Sequence, residues 1–443
     1  MQEAGPRGLS AGLDPAAAGA EILDLARRLM PLPRSLTGDG VRETLRIVGE
    51  LVPLAVTEVP TGTPIFDWAA PREWNVADAW IADSTGRRIV DWRESNLRLL
   101  GYSHPVRTML TGAELDGRLH SLPEFPDRIP YRTAYWADTW GFCVTEAERR
   151  ALDPDEEYEV CVDARLEDGH LTYAEALLPG ESEEEVLLST YVCHPSLAND
   201  NVSGIALLAA LGAWLVERPL HRSHRLLFSP GTLGPLAWLS RNLEGLDRIR
   251  AGLVVACAGD PGPLRYKRSR GGDTAVDRAA AYVLGGRPGS LVEDFVPWGG
   301  DERQFCSPGF DLPVGALTRT PHGLFPEYHS SADDLELIGA ESLGDSLVAT
   351  LEILDVLDRD RTYASRNPYG EPQLGRRGLY REVSSGAPRE EESFQRALLW
   401  VLNLADGGHS LLDVAERAGL PFAVVTAAAS ALLDAELLEE RQP

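Results

Sequence analysis

The stretch Ser189–Leu211, STYVCHPSLANDNVSGIALLAAL, decides the fold because it joins an apolar strand to an apolar helix through a polar loop. Upstream, EVLLSTYVC (185–193) is a nearly continuous apolar run, and downstream GIALLAALGAWLVE (204–217) has the length of a helix. A strand without polar alternation is typical of a sheet that is covered on both faces. The loop therefore places two residue types that bind metals, His194 and Asp200, at the end of a buried strand.

Further along the chain, the same alternation of strand, loop and helix continues. Three more strands are predicted at HRLLFSP (224–230), AGLVVACAG (251–259) and DLPVGALT (311–318). This pattern predicts an α/β fold with a central sheet flanked by helices. Ligands of such sheets bind at the carboxyl ends of the strands. Four features follow those ends: His194, Gly231, Asp260 and the loop after Leu317.

Changes in composition predict three domains. The α/β domain is split over residues 15–56 and 171–380, and a mostly β domain with many tryptophans is inserted at 57–170. A linker near 380–392 leads to three helices of winged-helix type at 390–440. The last of these helices has no lysine or arginine, so we interpret the tail as a packing or homodimerisation module and not as a DNA reader.

The composition indicates which kinds of molecule the protein binds and in which cellular compartment it is found. The 443 residues carry a net charge of −26, which argues against nucleic acid or an anionic membrane as a partner. The five cysteines are scattered without close pairs, as expected for reduced thiols in the cytosol. We see no signal peptide and no run of the roughly eighteen apolar residues that a membrane span needs. The sequence therefore predicts a cytoplasmic protein.

A zinc site is one interpretation of the polar groups at the strand ends. His329 lies in EYHSSADDLELI (327–338), and Asp260 directly follows an apolar strand. Histidines and carboxylates gathered from several strand ends suit one or two zinc ions. The alternative is that His194 bonds to backbone and Asp200 caps the next helix. Asp333 and Asp334 could orient His329 or simply cap a helix.

Several segments resemble a known family. HPSLANDNVSG (194–204) and YHSSADD (328–334) resemble the signatures of the zinc aminopeptidases of metallopeptidase family twenty-eight. The chain is more similar still to a bacterial aminopeptidase-like family of unknown function, whose members have an inserted β domain and a C-terminal winged helix. That resemblance rests on five segments in order: HPSLANDN, YKRSRGGDT, GGDERQFCSPG, PEYHSSADD and EPQLGRRGLY. It implies a zinc-exopeptidase-like fold with a central mixed sheet.

The resemblance also implies a ligand set and a reaction. His194 would bind one metal, Asp200 would bridge two, Asp260 would complete the first site and His329 the second. The expected protein is a zinc-dependent aminopeptidase-like hydrolase. Its substrate would have an amide bond near a free amine. The glycine at residue 231 favours a specialised metabolite, such as an amide intermediate of a natural product or cell-surface sugar, over general peptide turnover.

One position departs from the family pattern. Gly231 stands where the family has a glutamate, and glycine can neither accept a proton nor hold zinc through a side chain. Asp301 and Glu302, in GGDERQFCS, are candidate replacement carboxylates, with Glu327 as a further candidate. The alternatives are an acyl-transfer or cyclisation enzyme on the same platform, and a catalytically silent binding protein.

Basic and hydroxyl groups are candidates for substrate binding. Tyr266, Ser269 and Arg270 follow Asp260 and could hold a carboxylate or phosphate, although a solvated loop is the alternative. Arg303 is a further candidate, unless it forms an internal ion pair with Glu302. Arg376, Arg377 and Tyr380 could line the same cleft. Cys193 and His194 are adjacent on a predicted strand, so we expect their side chains to point apart.

Overall fold

The computed structural model describes residues 8–379 and 389–441 and contains a large unit, 14–349, and a smaller one formed by the rest. The α-helices of the described residues span Pro15–Leu29, Asp39–Val48, Gly112–Asp116, Glu146–Arg150, Ser203–Val216, Leu233–Arg241, Ala275–Gly285, Glu302–Phe305, Ala340–Arg359, Arg389–Leu404, Leu411–Ala418 and Phe422–Asp434.

The larger unit is built on an eight-stranded mixed sheet. In spatial order its strands are Ala55–Pro60, His170–Leu178, Arg222–Ser229, Ser182–Tyr191, Ile249–Val255, Val314–Thr318, Arg265–Lys267 and Leu291–Glu293. The four strands from Arg222–Ser229 to Val314–Thr318 are parallel neighbours, so their carboxyl ends meet at one edge. The predicted strands after residue 180 are all present, and the four features noted in the sequence follow this edge.

Both faces of the sheet are covered, because consecutive apolar side chains of a strand point to opposite sides. Leu227 packs in a cluster with Trp238 of the helix Leu233–Arg241. Its neighbour Leu226 faces the other way, where a Cβ on Gly212 would lie 2.6 Å from the Leu226 side chain. The helix Ser203–Val216 can approach the sheet this closely only because residue 212 is glycine.

That core helix also bears on the membrane question. With the preceding turn, the stretch Ala198–Val216 is long and apolar enough to cross a membrane, contrary to the expectation from the sequence. In the structure 78% of its most apolar window is buried inside the protein. Burial of this extent is typical of a core helix.

A second sheet lies within residues 57–170, the segment that the sequence predicts to be an inserted β domain. Its antiparallel strands are Arg88–Asp91, Glu73–Ala82, Glu157–Glu167 and Val106–Thr111, in that spatial order. Trp74 and Trp140 belong to its core, whereas Trp68 and Trp136 are exposed. Two-stranded pairs complete the unit: Pro64–Ile65 with Trp68–Ala69, and Leu119–His120 with Phe142–Cys143.

The smaller unit has the winged-helix pattern. The strand Thr362–Ser365 lies between Asp406–Ser410 and Leu438–Arg441, and the last three helices belong to the same unit. Ser410 caps the helix Leu411–Ala418 by accepting from the Asp413 N–H. The predicted fold class is confirmed, whereas the predicted domain boundaries remain predictions. Tyr380 and most of the predicted linker lie outside the described residues.

Candidate metal centre

Three predicted ligands meet at the carboxyl edge of the central sheet. The Oδ2 atom of Asp200 lies 3.1 Å from His329 Nε2 and 4.0 Å from His194 Nε2. One ligand atom from each residue lies within 4.8 Å of the other two. Ligands about 2.1 Å from a common zinc ion in tetrahedral geometry are about 3.4 Å apart, so this spacing fits zinc.

The hydrogen bonding of the cluster also fits a cation. Asp200 is completely buried, yet its Oδ2 atom has no hydrogen-bond partner, and neither has His329 Nε2. Buried polar atoms are normally hydrogen-bonded, because an unpaired one carries a desolvation cost. The two atoms face each other at 3.1 Å without a hydrogen bond of normal geometry, so both are available to coordinate an ion. The three side chains therefore fit a zinc ion, and we call His194, Asp200 and His329 the cage.

The protonation states of the cage also favour a metal. Burial lowers the pKa of His194 to about 4, so its imidazole is neutral near pH 7. Burial alone would raise the pKa of Asp200, but the nearby histidines, His194 first, hold it well below the ordinary value. A neutral imidazole and an ionised carboxylate are the forms that bind zinc.

A second group of side chains, not anticipated from the sequence, shares Asp200 with the cage. Cys257 and His322 each offer a ligand atom near the Asp200 carboxylate. The hydroxyl of Tyr191 lies among them: it donates to Asp200 Oδ1 and lies 2.7 Å from His322 Nε2. Burial raises the pKa of the Cys257 thiol well above its ordinary value, which keeps it protonated. The cage is therefore the better-formed metal site.

Asp260 is not part of either group. Its Oδ1 atom accepts from Gly262 N and Thr320 Oγ1, and its Oδ2 atom accepts from Asn199 Nδ2 and Thr320 N. All four hydrogen bonds are between 2.7 and 3.0 Å long. Because both oxygens are occupied in this way, the structure gives Asp260 a role in holding loops together and not that of the expected ligand.

Asp333 positions the loop that carries Asp200, and not His329 as one expectation had it. Its two oxygens accept from the backbone N–H groups of Asn199 and Asp200, at 2.6 and 2.9 Å. Burial raises the pKa of Asp333 to about 7. Asp334 accepts from the N–H of Glu336 in a turn, and the next helix begins only at Ala340. The Asp200 carboxylate is thus fixed through its own main chain.

The backbone around the cage is strained at four residues. Their φ values lie in the left-handed region that side chains with a Cβ rarely adopt: 44° at Ser196, 45° at Cys257, 53° at His329 and 67° at Thr232. Such conformations persist only where surrounding contacts impose them, and they concentrate at functional sites. At His329 the contacts come from the inserted domain.

Residues 129–131 of the inserted domain hold the loop of His329 and close the cage. Tyr131 N donates to His329 O at 2.8 Å, and Ile129 exchanges hydrogen bonds with Ser331. The Tyr131 ring lies 5.1 Å from each of the rings of His194 and His329, measured between centroids. Residues 129–131 therefore supply one wall of the site.

Next to the cage, an aspartate lies against the turn where the family glutamate is missing. Asp301 Oδ1 accepts from Thr232 N at 2.6 Å, while its buried Oδ2 atom has no partner. A Cβ at Gly231 would lie 3.2 Å from Cys193 Sγ and 3.3 Å from Tyr191 Cβ, so the turn has little room for a side chain. Burial raises the pKa of Asp301 to about 7, which suits an acid–base group.

Glu302 and Arg303 do not form the ion pair considered as an alternative. Glu302 is fully buried; its Oε1 atom pairs with Lys267 Nζ at 2.5 Å, and its Oε2 atom has no hydrogen-bond partner. Arg303 instead donates to Thr232 Oγ1 at 3.4 Å. Both residues therefore lie beside the site, with Glu302 already neutralised by a lysine.

The other candidate substrate-binding groups lie elsewhere. The Tyr266 hydroxyl and the N–H and hydroxyl of Ser269 all donate to the Asp277 carboxylate, in a buried network. Arg270 pairs with Asp311 at the surface, 2.6 Å apart. Tyr266 and Ser269 therefore have a structural role. They supply the hydrogen-bond donors that the buried Asp277 carboxylate needs in the first turn of its helix.

Two further expectations concern Cys193 and the residues near 376. Cys193 Sγ lies 3.4 Å from His194 Nδ1, although the two side chains were expected to point apart. The strand ends at Tyr191, so its alternation no longer applies. Burial raises the pKa of Cys193 to about 12, which argues against a thiolate nucleophile. Arg376 and Arg377 lie in a short 3₁₀ turn of the smaller unit.

Comparison with known proteins gives the family. The sequence profile described as Domain of unknown function (DUF4910) matches residues 23–360, and one described as winged helix-turn-helix matches 361–440. A Clostridium acetobutylicum protein, described as a candidate polysaccharide biosynthesis protein with an aminopeptidase-like domain, is 46% identical over 423 residues. The match covers 95% of this chain and 96% of that protein.

Solved structures agree with this assignment. The crystal structure of a candidate peptidase from Clostridium acetobutylicum has a TM-score of 0.91 and 44% identity, and the match covers 96% of this chain and 97% of that one. A zinc aminopeptidase from Bacillus subtilis has a TM-score of 0.55 and 13% identity, over 80% of this chain and 95% of that one, and shares the fold. With three quarters of its length matched by one profile, and a relative similar from end to end, the chain belongs to the DUF4910 family.

Proposed function

We propose that the protein is a zinc-dependent hydrolase that cleaves an amide bond near a free amine. The observation that carries the proposal is the cage, whose three ligand atoms lie within 4.8 Å of one another and include two buried atoms without a partner. The fold it shares with a zinc aminopeptidase is consistent with this chemistry. Zinc bound by His194, Asp200 and His329 would polarise the amide carbonyl and lower the pKa of a coordinated water.

Asp301 is the residue we propose as general base in place of the missing glutamate. It contacts the turn of Gly231 through Thr232, and its Oδ2 atom is unpaired. A carboxylate whose pKa is raised to about 7 can take a proton from water and return it to the leaving amine. Glu302 is the weaker candidate because it is already paired with Lys267.

The charge of the site supports a substrate with a free amine. Asp301 has an unpaired carboxyl oxygen in the turn next to the cage, whereas Glu302 is already paired with Lys267. An unpaired carboxylate oxygen can accept a hydrogen bond from an ammonium group of a substrate. We therefore propose a peptide or a specialised metabolite with a free amine as substrate.

We also propose a pathway for the reaction, a cellular compartment and a role for the winged helix. The Clostridium acetobutylicum relative is named for polysaccharide biosynthesis, which supports an amide on a cell-surface sugar or natural product more than general peptide turnover. The five cysteines are free thiols, in keeping with a cytoplasmic location. We propose that the winged helix mediates homodimerisation, because its last helix lacks lysine and arginine.

The test combines zinc content with hydrolysis of an aminoacyl-arylamide. We expect at least one equivalent of zinc in the wild type, and its loss in the double variant His194→Ala/Asp200→Ala. Asp301→Asn should retain zinc and lose about 10²–10⁴ in kcat, because a general base contributes about that factor. Glu302→Gln is the matched control and should lose less.

Three outcomes would change the proposal. A wild type without zinc would favour a silent binding protein. Zinc with release of a cyclised or transferred acyl product would favour acyl transfer on the same platform. Full activity of Asp301→Asn would show that Asp301 is not the general base. The proposed zinc site would be unaffected by that result.

A further inference from the structure

Arg34 is a buried arginine whose charge has no counter-ion. It is 1% exposed, its Nε atom donates to His194 O at 2.9 Å, and its Nη1 atom donates to Leu29 O at 2.6 Å. The Nη2 atom has no hydrogen-bond partner. Within residues 8–379 and 389–441, no carboxylate pairs with this side chain. The guanidinium is thus satisfied only in part, and only by neutral carbonyl groups.

Other arginines of low exposure in the same unit are neutralised differently. Arg225 pairs with Glu175 and Glu185, at 2.6 Å to each. Arg319 pairs with Asp345, and all three of its nitrogen atoms have acceptors. The fold therefore supplies a carboxylate where an arginine has a structural role, which makes Arg34 the exception among these three.

The missing counter-ion has an energetic consequence. An arginine side chain keeps its positive charge near pH 7, because the guanidinium group is not deprotonated in proteins. A buried charge without an opposite charge is unfavourable, because it has lost its hydration without compensation. An anion from outside the chain would supply that compensation, provided that the fold leaves room for it.

Arg34, of which 1% of the surface is accessible, is one of the residues that line a cavity. Its volume is about 160 Å³, and its lining includes Arg34, Trp74, Trp92, Tyr131 and Pro195. Cavities of about 150 Å³ can hold a benzene molecule. Two lining residues connect the cavity to the cage: Pro195 follows His194, and Tyr131 packs on both cage histidines.

We infer that this cavity binds the carboxylate or phosphate group of a small ligand, with Arg34 as its counter-ion. The planar guanidinium suits either group, and the aromatic walls suit a flat or apolar remainder of the ligand. Asp39 and Asp163 also line the cavity, but both are exposed, so water and salt screen their repulsion of an anion.

Benzoate is a suitable probe, because it combines a carboxylate with a ring of the right size, and benzamide is its neutral counterpart. Calorimetric titration of the zinc-loaded protein should give at least about tenfold tighter binding of benzoate than of benzamide. Asp200→Asn separates this site from the zinc ion, which also attracts carboxylates. Benzoate binding that survives in Asp200→Asn belongs to the cavity, whether or not the protein is a hydrolase.

Variants of the cavity test the assignment to Arg34. Arg34→Met should weaken benzoate at least about tenfold and leave benzamide unchanged. Trp92→Ala, which removes a wall but keeps the charge, should weaken both probes, and it serves if Arg34→Met fails to fold. Arg165→Gln is the matched control: Arg165 lines the same cavity but is exposed, so benzoate affinity should change less than about threefold.

Equal affinities for benzoate and benzamide, or unchanged benzoate binding in Arg34→Met, would overturn the inference. So would loss of all benzoate binding in Asp200→Asn, which would place the probe on the metal. Inhibition of hydrolysis identifies the source of the anion. Competitive inhibition by benzoate assigns it to the amide substrate, non-competitive inhibition assigns it to a separate ligand, and either result supports the site.

Discussion

Asp200 and Asp260 lie in two loops at the same edge of the sheet, but their carboxylates are in opposite hydrogen-bonding states. Asp260 accepts four hydrogen bonds from three neighbouring residues. Asp200 accepts one from Tyr191, and its Oδ2 atom faces two histidines without a partner. The first carboxylate is complete without a ligand, whereas the second is complete only with one. Both aspartates follow a strand, so position alone does not tell them apart. The number of hydrogen bonds that each carboxylate accepts distinguishes a structural aspartate from a candidate metal ligand.

The largest expected effect is on zinc affinity. Asp200→Asn removes the central negative charge of the cage while keeping its shape, so zinc affinity should fall by at least about 10²-fold. Asp260→Asn should stay within about tenfold of the wild type, since its oxygens do not face the cage. Competition with a chelating dye measures both affinities. Equal losses of zinc affinity in the two variants would show that Asp200 is no more important for zinc binding than Asp260.

The next effect is on the stability of the metal-free protein, where the order of the two residues reverses. Asp260→Ala removes the acceptor of four hydrogen bonds and leaves buried donors unpaired, at a cost of about 2–4 kcal/mol in the free energy of unfolding. Asp200→Ala removes one hydrogen bond and an unpaired buried oxygen, and should cost less than about 2 kcal/mol. Urea unfolding with a chelator present checks this order. A larger loss in Asp200→Ala would contradict it.

The smallest effect concerns Asp301, which is intermediate, with one oxygen bonded and one not. Burial raises its pKa from 3.8 to about 7 in the folded protein. The folded state therefore holds this proton more tightly than the unfolded state, and the resulting stability is lost as pH rises from about 4 to about 7. Asp301→Asn should escape this loss and gain about 1–3 kcal/mol relative to the wild type between pH 5 and pH 8.

The partly buried pair of Glu73 and Arg42 gives the control of opposite sign. Hydrogen bonding to Arg42 lowers the pKa of Glu73 to about 2. Its contribution is present above about pH 4.5 and is lost as pH falls towards 2, so Glu73→Gln should destabilise the neutral protein and have little effect near pH 2. Thermal unfolding across the pH range measures both variants. Parallel pH profiles for the two would refute the assigned signs.

The sequence carried enough information for the fold but only part of the site. Continuous apolar runs such as residues 185–193 predicted the parallel strands, and the loop after them identified His194 and Asp200. Tyr191 and Cys257 were missed because both lie within such runs and resemble core residues. His322 was missed because it lies in a loop that shows no motif, although that loop follows a strand end. The position of Asp260 after a strand predicts a ligand, but two of the three residues that donate to its oxygens, Asn199 and Thr320, come from loops distant in sequence.

The hydrogen bonds between residues 129–131 and the loop of His329 determine when the site can form during synthesis of the chain. Ile129 and Ser331 are 202 positions apart, and the hydrogen bond between them helps to set one histidine of the cage. The ribosome must therefore release the chain well past Ser331 before the site exists in its final form. A metal ion can therefore be held by all three cage residues only after residues 129–131 and the loop of His329 have come together, which is a contact between distant parts of the chain.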